Sequence, residues 1–378
     1  MPPTHVSMHG VPQACAARPS CTTGISCSDR YMIQHRIHRP DFAVHRCHIQ
    51  EQQGPSCFKA RAHRLRRRSL ARRIAAGSSD SMTEAGPGSD SDLSQFVDLA
   101  NELAEVAGSI TKKFFRQPLT IDSKADKSPV TEADRQAEHA MRQKIADRFP
   151  DHGIFGEEEG MQQPRDTDAQ YLWVLDPIDG TKSFITGKPV FGTLIALLRN
   201  GVPVLGVMDQ PITQERWIGV KGQGTTHNKQ AVHTRQCKDI SLAYLYATTP
   251  HMFSPEDNSE KAFNSVRDAV RTPLYGCDCY AYGLLACGHV DLVVEADLKP
   301  YDFMALVPIV EEAGGIMTDW LGNPLKWRCA PDGYLMDSLP GEVLAAGDKG
   351  IHDAAVKLLN WDKLQEHETP AYGAGATS

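Results

Sequence analysis

An apolar run, Tyr171-Leu172-Trp173-Val174-Leu175, passes without interruption into Asp176-Pro177-Ile178-Asp179-Gly180-Thr181. A short apolar run of this kind reads as a buried strand, and it ends in two carboxylates three positions apart. Pro177 stiffens the turn and Gly180 releases it, so the two acids are aimed at one point. The carboxyl ends of strands are where α/β-type sheets place their ligand sites. Carboxylates that converge without a base repel each other, and a divalent cation relieves the repulsion. Hard oxygen donors in this arrangement suit Mg²⁺, which takes one or two carboxylates together with water and substrate phosphate. The peptide oxygen of Ile178 can add a ligand. The N–H groups of Gly180 and Thr181, where they begin a helix, make an anion cradle.

Three further acidic strings stand elsewhere in the chain. Gly156-Glu157-Glu158-Glu159-Gly160 follows Ile154-Phe155, again apolar residues running into acids. Taken alone, three consecutive Glu read as a solvated face. Thr131-Glu132-Ala133-Asp134 puts a hydroxyl and an acid at a helix start, which alone is a capping motif. Lys299-Pro300-Tyr301-Asp302 sets an acid at another helix start, where the dipole favours negative charge.

Periodicity predicts an amphipathic helix from a Ser91-Asp92 cap to about Phe115, and a second from Thr131 through Arg148 with Ala137, Met141 and Ile145 on one face. Strands are expected at 171–175, 190–198 and 202–210, with Asn200-Gly201 turning a hairpin, and at 215–220 and 222–227. After Thr234 the pattern becomes α/β: strands at 242–248, 274–276, 290–295 and 343–346, helices at 256–270, 280–287, 302–313 and 350–359. Pro308 inside the 302–313 helix predicts a kink or a later start.

The formal net charge of −7 conceals an asymmetry. Residues 1–77 hold 13 Lys and Arg against three acids (Asp29, Asp41, Glu51), with Arg64-Leu65-Arg66-Arg67-Arg68 and Arg72-Arg73 at their end. A basic, acid-poor N-terminal segment without periodicity reads as an organelle transit peptide, here 1–78, followed by a Ser/Gly/Asp-rich linker at 79–91. The alternative is a disordered basic tail. The remaining chain is strongly acidic, which argues against non-specific nucleic-acid binding. No apolar run is long enough to span a membrane. The five cysteines of the acidic part (Cys237, Cys277, Cys279, Cys287, Cys329) are odd in number and scattered, which is no disulfide framework. The residues after Trp361 read as a structureless tail, with 366–378 its disordered end.

Taken together and in this order, the VTEAD, GEE and DPIDGT strings and the segment from Asp302 to Gly315 (D-x-x-A-x-x-x-x-x-x-E-x-G-G) resemble the inositol-monophosphatase-like metal-dependent phosphatases over about residues 92–360. Within that family the chain is similar to the plant-type histidinol-phosphate phosphatases of plastids, on Gly276-Cys277-Asp278-Cys279-Tyr280-Ala281-Tyr282 and on Asp297-Leu298-Lys299-Pro300-Tyr301-Asp302. The commoner family pattern has Trp before the last metal-binding Asp; here Tyr301 stands there.

The resemblance implies an α+β / α/β fold, a layered α-β-α-β-α sandwich of the inositol monophosphatase / fructose-bisphosphatase type, with an N-terminal half at 92–228 and a C-terminal half at 229–365. It implies Mg²⁺, two or three ions per site. Glu157, Asp176 and the Ile178 carbonyl would hold one ion, and Asp176, Asp179 and Asp302 a second, with Thr181 and Asp134 orienting and deprotonating the attacking water. Gly180, Gly276, Cys277, Asp278 and Glu295 join Ile178, Asp179, Thr181 and Asp302 as expected substrate contacts. The expected reaction is hydrolysis of L-histidinol phosphate in the plastid stroma (a mitochondrion being second), by a homodimer with no nucleic-acid or membrane partner. The alternatives are a broader inositol- or sugar-phosphate phosphatase and an inactive metal-binding scaffold.

Overall fold

Residues 93–118, 121–123, 129–165, 170–330, 333–335 and 341–366 are described by the computed structural model of the chain. The expected transit segment, the linker, the Ser91-Asp92 cap and the tail beyond Glu366 lie outside them. Helix α1 (Ser94–Phe114) buries Phe96, Leu99, Ala100, Leu103, Ala104 and Ala107 along the predicted stripe. A short hairpin that periodicity did not announce, β1 (Ile121–Ser123) with β2 (Pro129–Thr131), leads into α2 (Glu132–Arg148). Thr131 and Asp134 close a reciprocal capping box there.

The next stretch builds one sheet. It comprises β3 (Gly153–Gly156), β4 (Gly160–Gln162), β5 (Tyr171–Asp179), β6 (Gly192–Arg199), β7 (Val202–Gln210), β8 (Glu215–Val220), β9 (Gly224–His227) and β10 (Gln230–Val232), with the short helix α3 (Thr181–Ile185) after β5. The strand order is β10-β9-β8-β7-β6-β5-β3-β4. The β3–β5 pairing is parallel and the other pairings are antiparallel. Asn200 and Gly201 both have positive φ (51° and 80°), the two-residue turn expected of an Asn-Gly hairpin.

A second sheet follows from β11 (Tyr244–Ala247), β12 (Thr272–Tyr275), β13 (Leu292–Glu295), β14 (Ile316–Thr318) and, after the small pair β15 (Cys329–Ala330) and β16 (Gly333–Tyr334), β17 (Val343–Ala346). Its order is β12-β11-β13-β17-β14. The helices among these strands are α4 (Ser259–Arg267), α5 (Tyr280–Ala286), α6 (Pro300–Phe303), α7 (Leu306–Glu312), α8 (Lys349–Leu359) and α9 (Trp361–Glu366). The helix expected at 302–313 is therefore two helices. Pro308 is the third residue of α7, where its missing N–H has no intrahelical partner to lose. The residues after Trp361, expected as tail, are helical as far as Glu366.

Five layers result: α1 and α2, the eight-stranded sheet, α5 to α7, the five-stranded sheet, then α4 and α8. This is the α-β-α-β-α sandwich. Strands 172–175, 193–198 and 203–210 are buried along their whole length because helices cover both faces of their sheet. One apolar cluster lies between α1, α2 and the first sheet, a second between the two sheets, and a third outside the second sheet. Among the described residues no helix is long and apolar enough to cross a membrane. All five described cysteines are free thiols.

The middle helices reach the first sheet through two glycines paired across β7 and β8, Gly206 and Gly219. A Cβ on Gly206 would overlap the Ala305 carbonyl oxygen, and one on Gly219 that of Pro308. Gly206→Ala is therefore expected to destabilise the fold by about 3 kcal/mol, the upper part of the range for overpacking, because the obstacle is backbone. Urea unfolding measures it; a midpoint equal to that of the unchanged protein would contradict this packing.

Candidate metal centre

The carboxyl ends of β3, β5, β11 and β13 meet at one cleft of about 200 Å³. Its walls include Glu157, Asp179, Gly180, Thr181, Asp278, Glu295 and Asp302. A larger groove of about 660 Å³ lies between α1 and the turns at Gln214 and Asn228. Two charges in it, Asp209 and Arg216, pair with each other at 2.7 Å, so size does not mark the reactive site.

The β5 strand does not stop at Leu175. It runs on through Asp179, with a register shift against β6 between Asp176 and Asp179. That bulge takes in Pro177, which cannot donate to the ladder, and it brings Asp176 and Asp179 together. The turn comes at Gly180, whose φ is 83°. α3 begins at Thr181 and has only five residues.

Asp176, Asp179 and Asp302 each offer an oxygen, and these oxygens lie within 4.8 Å of one another. One oxygen of each is oriented by a backbone N–H. Ile178 donates to Asp176 at 3.0 Å, Cys279 to Asp179 at 2.7 Å, and Lys299 to Asp302 at 2.6 Å. Asp302 is thus both the cap of α6 and a member of the cluster. Asp134 also caps a helix, α2. Its Oδ2 accepts from the Thr131 N–H (2.9 Å) and hydroxyl (2.5 Å), while its buried Oδ1 has no hydrogen-bond partner.

Burial, then repulsion from Glu157, Asp179 and Asp302, raises Asp176 well above the usual carboxylate range. Burial with Asp278 and Asp302 does the same to Asp179. Asp302 is pushed up to about 7 by burial, against the Lys299 N–H, with Glu157 and Glu295 adding to the rise. Asp134 is pushed up to about 6, burial outweighing its Thr131 hydrogen bonds. Acids that raise one another in this way, an orphaned buried oxygen and an all-oxygen donor set fit a hard divalent cation.

Asp176 lies beneath the cleft floor, 1% exposed. Ile178 is buried, and its carbonyl accepts from the Thr181 hydroxyl at 3.2 Å. Thr181 and Asp134 are not hydrogen-bonded to each other. Gly276 and Cys277 do not line the cleft. Lys188 takes the Gly276 carbonyl, and Cys277 is buried in the core. Asp278 does line it, at φ 48°, with Ser183 donating to its Oδ2 at 2.5 Å. Glu295 accepts from the Thr248 N–H (2.9 Å) and the Tyr282 hydroxyl (2.8 Å). Burial pushes the Cys277 thiol up to about 12 and Cys279 well above its usual value. Both stay protonated, which rules out a thiolate nucleophile at neutral pH.

The sequence reading missed Ser183, Thr248 and Tyr282, which hold the acids, and Lys182, which joins the cleft wall. Ser183 and Lys182 carried a signal in their closeness to Thr181 in the chain, and Tyr282 stood in the Gly276–Tyr282 string without a role assigned to it; Thr248 carried none.

Residues 92–360 match the inositol monophosphatase family. The chain is 53% identical over 273 residues to the bifunctional phosphatase IMPL2, chloroplastic, of Arabidopsis thaliana, covering 72% of this chain and 77% of that one. It is 39% identical over 230 residues to the histidinol-phosphatase of Chlorobaculum parvum, covering 60% and 86%. Its fold matches a solved inositol monophosphatase from Zymomonas mobilis with a TM-score of 0.62 and 50% identity, covering 71% and 99%. The fold, the acidic cleft and these likenesses agree, and the chain belongs to the inositol monophosphatase family of phosphatases.

Proposed function

We propose that this phosphatase uses Mg²⁺ held at the carboxylate cluster, and that L-histidinol phosphate is its main substrate. The observation that carries the metal reading is the convergence of Asp176, Asp179 and Asp302 within 4.8 Å. Glu157, Asp176 and the Ile178 carbonyl are assigned to one ion, and Asp176, Asp179 and Asp302 to a second. When bound, Mg²⁺ polarises the phosphate, lowers the pKa of water and neutralises the leaving oxygen. Asp134, raised to about 6 with a free Oδ1, is suited to accept a proton near neutral pH. The Thr181 hydroxyl, which gives its proton to Ile178, keeps its own oxygen available to accept from a water.

Charge supports the substrate assignment. Histidinol phosphate carries a phosphate head, an ammonium and an imidazole. The cleft holds two acids outside the proposed metal set, Asp278 and Glu295. Burial raises Asp278, while Ser183, Lys188 and Lys182 favour its charged form. An anchored carboxylate suits an ammonium more than a neutral polyol. The histidinol-phosphatase of Chlorobaculum parvum supports the same reading. The likeness to an inositol monophosphatase at 50% identity favours a second one, a broader inositol-phosphate activity. A plastid location is supported by the chloroplastic relative and by the basic composition of residues 1–78. A homodimer is part of the proposal.

A substrate panel with released phosphate as readout decides. L-Histidinol phosphate is expected to have the higher kcat/KM, and Asp278→Asn to lower it about 10- to 100-fold, the worth of one charged hydrogen bond, with inositol 1-phosphate changed less than about threefold. A higher kcat/KM for myo-inositol 1-phosphate would overturn the substrate assignment. Phosphate release from none of the panel would leave a scaffold.

A further inference from the structure

Glu138 lies on α2, one turn beyond Asp134, and its side chain is wholly buried. Its carboxylate faces the turn between β3 and β4, which carries Glu157, Glu158 and Glu159. Oε2 accepts from the Glu158 N–H at 2.8 Å, and Oε1 accepts from the Glu159 N–H at 2.9 Å and from Arg142 Nε at 2.8 Å. Arg142 also donates to the Gly160 carbonyl at 2.6 Å, so the pair holds the turn at Glu158, Glu159 and Gly160. Gly156 makes the room, since a Cβ there would overlap the Glu138 carboxylate.

Placing a buried acid beside three others is costly unless both of its oxygens are used and its charge is met. Both conditions hold here. Glutamine could not replace it, because one amide group cannot accept from two N–H donors on its two heavy atoms. We propose that Glu138, neutralised by Arg142, is a positioning residue that sets the metal affinity of the cleft by fixing the turn bearing Glu157. This rests on the reading of Glu157 as a metal ligand. A turn of three acids left unpinned would swing away from the carboxylate cluster whenever the cation is absent. Each binding event would then include the ordering of that turn, which lowers affinity.

The full chain, stripped of metal with a chelator, is titrated with Mg²⁺ by calorimetry, and amide exchange at Glu158 and Glu159 is followed without metal. Glu138→Gln is expected to raise the Mg²⁺ Kd about tenfold or more, the usual consequence of removing a partner behind a ligand, and to speed exchange at one of the two amides. Arg148→Gln, at the end of the same helix as Glu138, breaks an exposed contact to Glu102 on α1 and serves as control with Kd unchanged. A purely structural role would lower the Tm of Glu138→Gln and leave Kd at its wild-type value, which would overturn the proposal. Glu157→Gln separates the two readings. If Glu157→Gln leaves Kd unchanged, the ligand assignment falls and takes this proposal with it. If Glu157→Gln weakens binding and Glu138→Gln does not, only the positioning role falls.

Discussion

Asp179→Asn is expected to yield a folded protein whose Mg²⁺-dependent kcat/KM is down at least about a thousandfold, a loss of about 4 kcal/mol of transition-state stabilisation. The substitution keeps the side-chain shape and leaves an oxygen to accept the Cys279 N–H, now at 2.7 Å from Oδ2. It removes one charge from a cluster whose remaining members are Asp176 and Asp302. An amide oxygen is a much weaker ligand for a hard dication than a carboxylate. The deficit should appear in metal affinity as well as in turnover, and raising Mg²⁺ should recover part of it. Activity within tenfold of the unchanged protein, at equal metal, would remove Asp179 from the metal set.

How far the chain could be read in advance depended on how local each feature is. The Asn200-Gly201 hairpin, α2 and the 202–210 strand are written in turn chemistry or long periodicity, and the structure places them as expected. The β3–β4 hairpin has strands of four and three residues, too short to show a period, so the three Glu read as surface. The β5 strand looked finished at Asp176 because Pro177 opposes a ladder; the bulge that accepts it depends on β6, some fifteen residues later. Glu138 was invisible for a different reason. It stands among polar residues of an exposed-looking helix, and what makes it special is two N–H groups twenty residues away. The clustered acids Asp176, Asp179 and Asp302 stood out because they interrupt apolar patterns, whereas the groups that hold them interrupt nothing.

The same cluster makes the metal-free protein respond to pH in the opposite direction from most acid-sensitive folds. Asp176, Asp179, Asp302 (about 7) and Asp134 (about 6) are all raised by burial first, and then by neighbouring acids: Asp176 and Asp179 by others of the four, Asp302 by Glu157 and Glu295, and Asp134 by Glu157. Between about pH 4 and 7 the folded chain keeps protons that the unfolded chain, with carboxyls near 3.9, has released. Stability therefore falls as pH rises from about 4, through about 6 for Asp134 and about 7 for Asp302. Burial lowers His352, which works the other way below its usual range, but Asp278 and Glu295, also raised by burial, add to the four. The chelated protein is expected to have a higher Tm at pH 5 than at pH 8. On the proposed metal reading a cation held by the ionised cluster competes with protons, so Mg²⁺ should raise Tm more at pH 8 than at pH 5. At a hundred times Kd the ion contributes about 2.7 kcal/mol, roughly 5–10 °C for a body of this size. Asp176→Asn removes the charge that faces Glu157, Asp179 and Asp302 together. It should raise the chelated Tm at pH 8, flatten the pH dependence and abolish the Mg²⁺ response, giving a more stable and inactive protein, the usual direction of exchange between stability and a strained site. Scanning calorimetry at the two pH values, with and without chelator, reads all three. A chelated Tm that rises from pH 5 to pH 8 would mean that these carboxylates are not held against one another in the folded chain.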